Sequence, residues 1–412
     1  MVCIYNDYNK DLDMNLEIPK KYSSIHNIAM MAAKNIFRPI SRKYDLEEHA
    51  YPVELDLLAA GLNGLNEGMD GSLGGAAPKK DNSNDGQVRN GANMANCINI
   101  QAMCYGDVGL LLSIPGQGLG NAAIGAVANK EQLEKFGKSW ASMAITEPNC
   151  GSDSSAITTT AVKDGDHYIL NGEKIFVTAG ERCNAVVVWA TLDKKIGKAA
   201  IKSFVVEKGT PGMEVVRLEK KLGIKASDTA AIVFTDCRVP ATNLLGTPDI
   251  DIKKGFGGVM ETFDNTRPFV ASMANGVAEA SIERTKEILG DSIVLDYKTP
   301  INNIKSVEAE LYRMEAEYEA ARLLTLRAAW MADNRKPNSL EASICKAKAA
   351  RITNSLSLKC IELCGALGYS YKELIEKWAR DSKILDIFEG TQQIQQLIIA
   401  RRLLNKSSAE LK

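Results

Sequence analysis

The sequence predicts an α+β multidomain chain: an N-terminal α-helical domain over 1–140, a central β-barrel or sandwich over 141–255, and a C-terminal four-helix bundle over 256–412. Three observations carry that expectation. Apolar residues recur at intervals of three and four in the first and last thirds. The middle third switches to short β-branched runs. Two Gly-containing turn dipeptides stand close together inside it. With 45% hydrophobic and 25% charged residues in 412, the chain has ample apolar material for more than one core.

The first helical stretch, Pro19 to Arg42, carries Ile25, Ile28, Ala29, Ala32 and Ile36 on one face, and Val53 to Leu62 continues the pattern. Between Gly64 and Gly91 the sequence becomes rich in Gly, Asn, Asp, Ser and Lys, which predicts a long loop. Helical spacing returns from Met94 to Asn129. In the β zone, Val187–Trp189, Phe204–Val206 and Ile232–Phe234 read as strands. Asp164-Gly165 and Asn171-Gly172 read as two hairpin turns flanking one strand, because both dipeptides tolerate positive φ. The last zone places Val307, Leu311, Met314, Tyr318, Ala321 and Leu324 on one helix and Ile352, Leu356, Cys360 and Leu363 on another. With Phe256–Leu289 and Gln392–Leu404 these make the bundle.

Lys plus Arg number 50 against 51 for Asp plus Glu, which gives no electrostatic reason to expect nucleic acid or an anionic membrane as partner. No apolar run is long enough to span a bilayer, and the charged N-terminus lacks a signal-peptide pattern. The nine cysteines form no CxxC pair and, with only three histidines, predict reduced thiols in a cytoplasmic protein and no metal site.

Three segments invite chemistry. Pro115-Gly116-Gln117-Gly118-Leu119-Gly120 looks like a dinucleotide fingerprint, but Pro115 sits where a strand should enter the turn and no βαβ pattern surrounds it. Close helix packing explains these glycines better. Ile145-Thr146-Glu147-Pro148, followed by Gly151-Ser152-Asp153, offers hydroxyls and a closely approachable backbone to an anion; a strand ending in a Pro-turn-Gly loop is the alternative. Glu389 follows the apolar run Ile384–Phe388 and precedes Gly390, with Thr391 placed to cap the last helix. A carboxylate in apolar surroundings has its charged form disfavoured, which suits a base near neutrality. A solvated Glu between two helices is the competing reading.

Thr146-Glu147-Pro148 with Gly151-Ser152-Asp153, Asp164-Gly165-Asp166, Leu170–Lys174, Phe263–Arg267 and Arg380–Ile384 leading into Phe388-Glu389-Gly390-Thr391 resemble the signatures of the acyl-CoA dehydrogenases, in the right order over nearly the whole chain. The resemblance implies an FAD-dependent enzyme of fatty acid β-oxidation or related lipid metabolism, turning an acyl-CoA thioester into its trans-2-enoyl product. By the same resemblance, Glu389 is the base for the α-proton while the β-hydride goes to flavin. The thioester carbonyl accepts from the Glu389 amide and a ribityl hydroxyl, an oxyanion-hole arrangement. The position of a second family base is Thr266, which cannot serve.

Ile145, Thr146, Gly151, Ser152, Phe176 and Thr178 match the flavin contacts, and Thr391 and Gln393 match residues reaching the FAD of a neighbouring subunit. Ser152, Asp264, Arg267, Glu389 and Gly390 match the substrate side. A homotetramer or homodimer, acyl-CoA as substrate and an electron-transferring flavoprotein as acceptor complete what the resemblance implies. Two departures stand out: Ser292 and Leu295 replace the family's Arg and Phe at the ADP portion of FAD, and Glu362 replaces a Gln. Lys298 or Lys359 is placed to compensate. An acyl-CoA oxidase, and a non-oxidative lyase or acyl-CoA-binding protein of the same fold, are the alternatives. Retention of Glu389 argues against the base-free version.

Overall fold

The computed structural model describes residues 18, 20–59, 91–116, 118–250, 257–407 and 410, with the backbone course alone for 257–265. Of the loop expected over 64–91, all but Gly91 lies outside the described residues, as do Cys3 and the side chain of Asp264.

The first α-helices among the described residues are α1 (Ser23–Ala32) and α2 (Arg38–Leu46), run together through a π-helical turn at Ala33–Phe37. The helical stretch expected over Met94–Asn129 is three pieces: α3 (Ala92–Cys104), the short α4 (Val108–Leu111) and α5 (Leu119–Val127). Asp107 starts α4 by accepting the Leu110 amide at 2.9 Å. The glycines at the start of α5 serve packing: a Cβ on Gly118 would lie 2.5 Å from the Ala141 carbonyl oxygen, and one on Gly120 would collide with the Ser142 carbonyl. Helix α6 (Lys130–Phe136) then leads into the sheet.

Among the described residues, seven strands form one curled mixed sheet: β1 (Ala141–Ala144), β2 (Thr160–Asp164), β3 (His167–Thr178), β4 (Ala185–Thr191), β5 (Ile201–Glu207), β6 (Met213–Leu218) and β7 (Thr229–Pro240). β4 is buried along its whole length, hence its continuous apolar run. It pairs with β5 throughout, and with β1 and then the start of β2 in parallel. β3 joins β2 to β7, which carries β6.

The first expected turn is real: Asp164 pairs with His167, and Gly165 has φ +60°. The second is not a turn. Asn171-Gly172 is a bulge inside a single 12-residue β3, where the register against β7 shifts between Leu170 and Gly172. The Asn171 carboxamide accepts the Asp236 amide at 2.8 Å, and a Cβ on Gly172 would collide with the Thr159 side chain.

The C-terminal zone holds five helices among the described residues: α7 (Gly257–Leu289), α8 (Ser306–Asp333), α9 (Ser339–Tyr369), α10 (Ile375–Leu385) and α11 (Gln392–Leu404). Four carry the expected bundle; α10 is additional and lies against α9 and α7. One apolar core runs from Ile100 and Cys104 through Val277, Leu311, Ala349 and Trp378, so α3 packs into the bundle. A buried charge network ties the zones together. Lys377 sits 2.6 Å from Asp107 and 2.5 Å from Asp381, Ser41 donates to Asp107, and Asp381 accepts the Ile224 amide at 2.5 Å. Charges this deep are costly to bury, and here each is offset by a partner of opposite sign or a hydrogen-bond donor. The N-terminal helices, the loop before β7 and α10 are thereby fixed to one another.

Candidate active site

The turn between α10 and α11 is Asp386 to Thr391. Glu389 and Gly390 both have positive φ, +56° and +90°. Glycine takes that conformation at no cost, but for glutamate it is strained by roughly 1–3 kcal/mol and is held only by its surroundings. Three contacts hold it. Gln395, fully buried on the first turn of α11, donates through Nε2 to the carbonyls of Glu389 and Gly390, both at 3.0 Å. Lys346, fully buried on α9, donates through Nζ to the Gly390 carbonyl at 2.7 Å. Thr391 caps α11 by accepting the Ile394 amide at 3.4 Å. The backbone N–H of Glu389 makes no hydrogen bond to protein among the described residues.

The Glu389 carboxylate turns inward to α7, where Thr266 Oγ1 donates to its Oε2 at 2.8 Å. Burial raises its proton affinity, offset in part by that hydrogen bond and by the charges of Arg267 and Lys346. The expectation of a carboxylate with raised pKa therefore holds. Thr266 is the donor that orients it, a role the sequence did not disclose. Arg267 is only 2% exposed, so its guanidinium acts on the carboxylate from within the bundle rather than presenting an open surface. Burial pushes the Lys346 ammonium down to about 8, against the pull of Glu389 and Asp386.

On the sheet, Ile145 and Thr146 leave β1 half-buried, and Gly151 and Ser152 are exposed beyond them. Glu147 is the anchor of this segment rather than a ligand. Its two oxygens accept from the amides and hydroxyls of Thr158 and Thr159 at 2.6–2.9 Å and from the buried Lys174 at 2.7 Å. These bonds hold its carboxyl down to about 2 despite burial. Thr146 is tied to β3 through its carbonyl, which accepts the Ile175 amide at 2.9 Å. The next residue, Phe176, has φ +57° and is 58% exposed. A bulky aromatic held in the left-handed region with its ring in the open is strain without a packing reward. Thr178 is half-buried further along β3.

An exposed ring beside exposed Gly151, Ser152 and the half-buried Thr146 and Thr178 suits a flat aromatic group with an anionic tail, so the residues present fit FAD. Gln393 is exposed and Thr391 half-buried at the start of α11. At the two departures, Ser292 and partly buried Leu295 offer no cation, while Lys359 pairs with Glu362 at 2.6 Å and cancels its charge.

Comparison with known proteins places the chain among its relatives. Models of the acyl-CoA dehydrogenase middle domain and C-terminal domain match residues 142–237 and 253–404. The chain is 31% identical over 409 residues, 95% of its own length and 97% of the relative's, to acryloyl-CoA reductase (NADH) of Anaerotignum propionicum. It superposes with TM-score 0.82 on butyryl-CoA dehydrogenase of Megasphaera elsdenii, at 29% identity, covering 95% of this chain and all of the other. A chain solved in work on the electron transferring flavoprotein of Acidaminococcus fermentans matches with TM-score 0.81 and 28% identity, over 95% of this chain and 100% of that one.

Proposed function

Because this chain belongs to the acyl-CoA dehydrogenase family, and is thus an oxidoreductase acting on acyl-CoA, we propose that it interconverts an acyl-CoA and its trans-2-enoyl-CoA with Glu389 as the base. The observation that carries this reading is the Glu389 carboxylate itself, half-buried, its proton affinity raised by desolvation, and aimed by the Thr266 hydroxyl at 2.8 Å. A base gains proton affinity as its charged form is disfavoured, and burial moves Glu389 in that direction against one hydrogen bond and two cations. As the α-proton moves to Glu389 Oε, negative charge develops on the thioester oxygen. The uncommitted Glu389 N–H is the donor this chain offers to it.

Ile145, Thr146, Gly151, Ser152, Phe176 and Thr178 would hold FAD, which when bound supplies the two-electron acceptor for the β-hydride. Phe176 contributes a stacking face and Ser152 a hydroxyl. The names of the relatives support a short acyl chain. The similarity to a reductase supports a second direction, in which the same Glu389 returns the proton to the enoyl α-carbon. An electron-transferring flavoprotein is the proposed redox partner. The outward Gln393, with exposed Leu403, Leu404 and Tyr369, supports a homo-oligomer in which α11 meets a second copy.

Anaerobic titration of the flavin-loaded protein with propionyl-, butyryl-, octanoyl- and palmitoyl-CoA tests the reading. Bleaching of the oxidised flavin band is expected, most strongly with the short thioesters. A bound flavin that none of them reduces, and that is not reoxidised by the matching enoyl-CoAs, would refute it. Peroxide production at the turnover rate in air would assign the oxidase alternative instead.

A further inference from the structure

We propose that Lys346 is a positioning residue for the base: its buried ammonium, seated on the Gly390 carbonyl, holds the Glu389–Gly390 turn and keeps a positive charge behind the Glu389 carboxylate. Lys346 is fully buried on α9 among small residues (Ala342, Ser343, Ala349 and Ala350 are its helical neighbours), and its Nζ lies 2.7 Å from a neutral carbonyl. No carboxylate lies within ion-pair distance of it among the described residues. Such an arrangement is poor value for stability alone. Removing an ammonium from water costs several kcal/mol, and one carbonyl does not return it; an apolar side chain of similar volume at such a site is commonly neutral or stabilising.

What the charge does face is the site. The groups acting on it are Glu389, Asp386 and Arg267, and those acting on Glu389 are Thr266, Arg267 and Lys346. Gln395 already donates to the Gly390 carbonyl that Lys346 meets and to the Glu389 carbonyl as well, so the turn has a neutral clamp without the lysine. What Lys346 adds is charge. It lowers the proton affinity of Glu389 and, with Gln395, holds the left-handed backbone that directs the Glu389 N–H away from other protein acceptors.

This inference builds on Glu389 as base, and its test is separable from that premise. The infrared C=O band of protonated Glu389, identified as the band missing from Glu389→Gln, is followed against pH in wild type, Lys346→Met and Lys346→Arg, with no substrate present. In Lys346→Met the band is expected to persist to higher pH, corresponding to about a tenfold gain in proton affinity. Lys346→Arg restores the wild-type midpoint, and Lys346→Met melts no lower than wild type. A Lys346→Met midpoint equal to wild type overturns the inference. So does a Lys346→Met protein that fails to fold or melts well below wild type, since the neutral Gln395 clamp would then not suffice for the turn and the fold would need the lysine. Loss of flavin reduction in every protein, wild type included, would instead count against the proposed reaction and leave the infrared result standing.

Discussion

Replacing Thr266 by Val removes one hydroxyl, and with it the 2.8 Å hydrogen bond to Glu389 Oε2, while keeping the branched shape at a buried position of α7. A hydrogen bond to a charged acceptor contributes about 1.5–3 kcal/mol, and it favours the ionised form. Without it the carboxylate binds its proton roughly ten- to a hundred-fold more tightly, at 1.36 kcal/mol per decade. Burial already raises this group, so the change adds to the same direction. The assay is the pH dependence of the rate at which a saturating acyl-CoA reduces the bound flavin in one anaerobic turnover. Only the ionised fraction of Glu389 can take a proton, so the acid limb of the profile moves to higher pH. At high pH, where both proteins are ionised, the rates converge to within a few-fold. An acid limb that stays at the wild-type pH, with the rate reduced equally at all pH values, would show that Thr266 only packs against the Glu389 turn and would refute the electrostatic reasoning.

Three further outcomes follow from the frame around the site. Phe176→Gly relieves a φ of +57° and removes a side chain that is 58% exposed, so the flavin-free protein is at least as stable as wild type, while FAD affinity falls about tenfold by equilibrium dialysis. Glu147→Gln leaves Lys174 buried without its anion and costs about 3–5 kcal/mol in denaturant unfolding at pH 7. The Glu147 carboxyl is held down to about 2 in the fold, so its contribution is complete above the ordinary carboxylate range and fades as pH falls toward 2; the gap between variant and wild type should narrow between pH 5 and pH 3. Asp381→Asn breaks the Lys377 network that joins three zones and should lower stability by a similar amount, read as a fall in melting temperature with flavin contacts unaltered.

The zone plan was legible because hydrophobic periodicity reports how a segment meets its core, and each zone has its own period. β4 could be read because burial on both faces leaves an uninterrupted apolar run. Asn171-Gly172 misled because a turn dipeptide describes only local φ preference. The pairing of β3 with β7 and the proximity of Thr159 convert the same two residues into a bulge. Glu389 was visible through its motif and apolar approach. Its partners were not: Thr266 lies 123 residues away and Lys346 43 residues away, each on a different helix. The one local sign of Lys346 was a lysine set between Cys345 and Ala347 on a small-residue face, which marks a buried cation without naming what it faces.

The most direct measurement is α-proton exchange in Glu389→Gln, with the flavin-loaded protein held anaerobically in deuterated buffer with butyryl-CoA. Wild type should wash deuterium into the α-carbon, and the variant should lose that exchange by a factor of about a hundred or more, while still binding the thioester. Exchange at the wild-type rate in a variant without a carboxylate at that turn would place the base elsewhere.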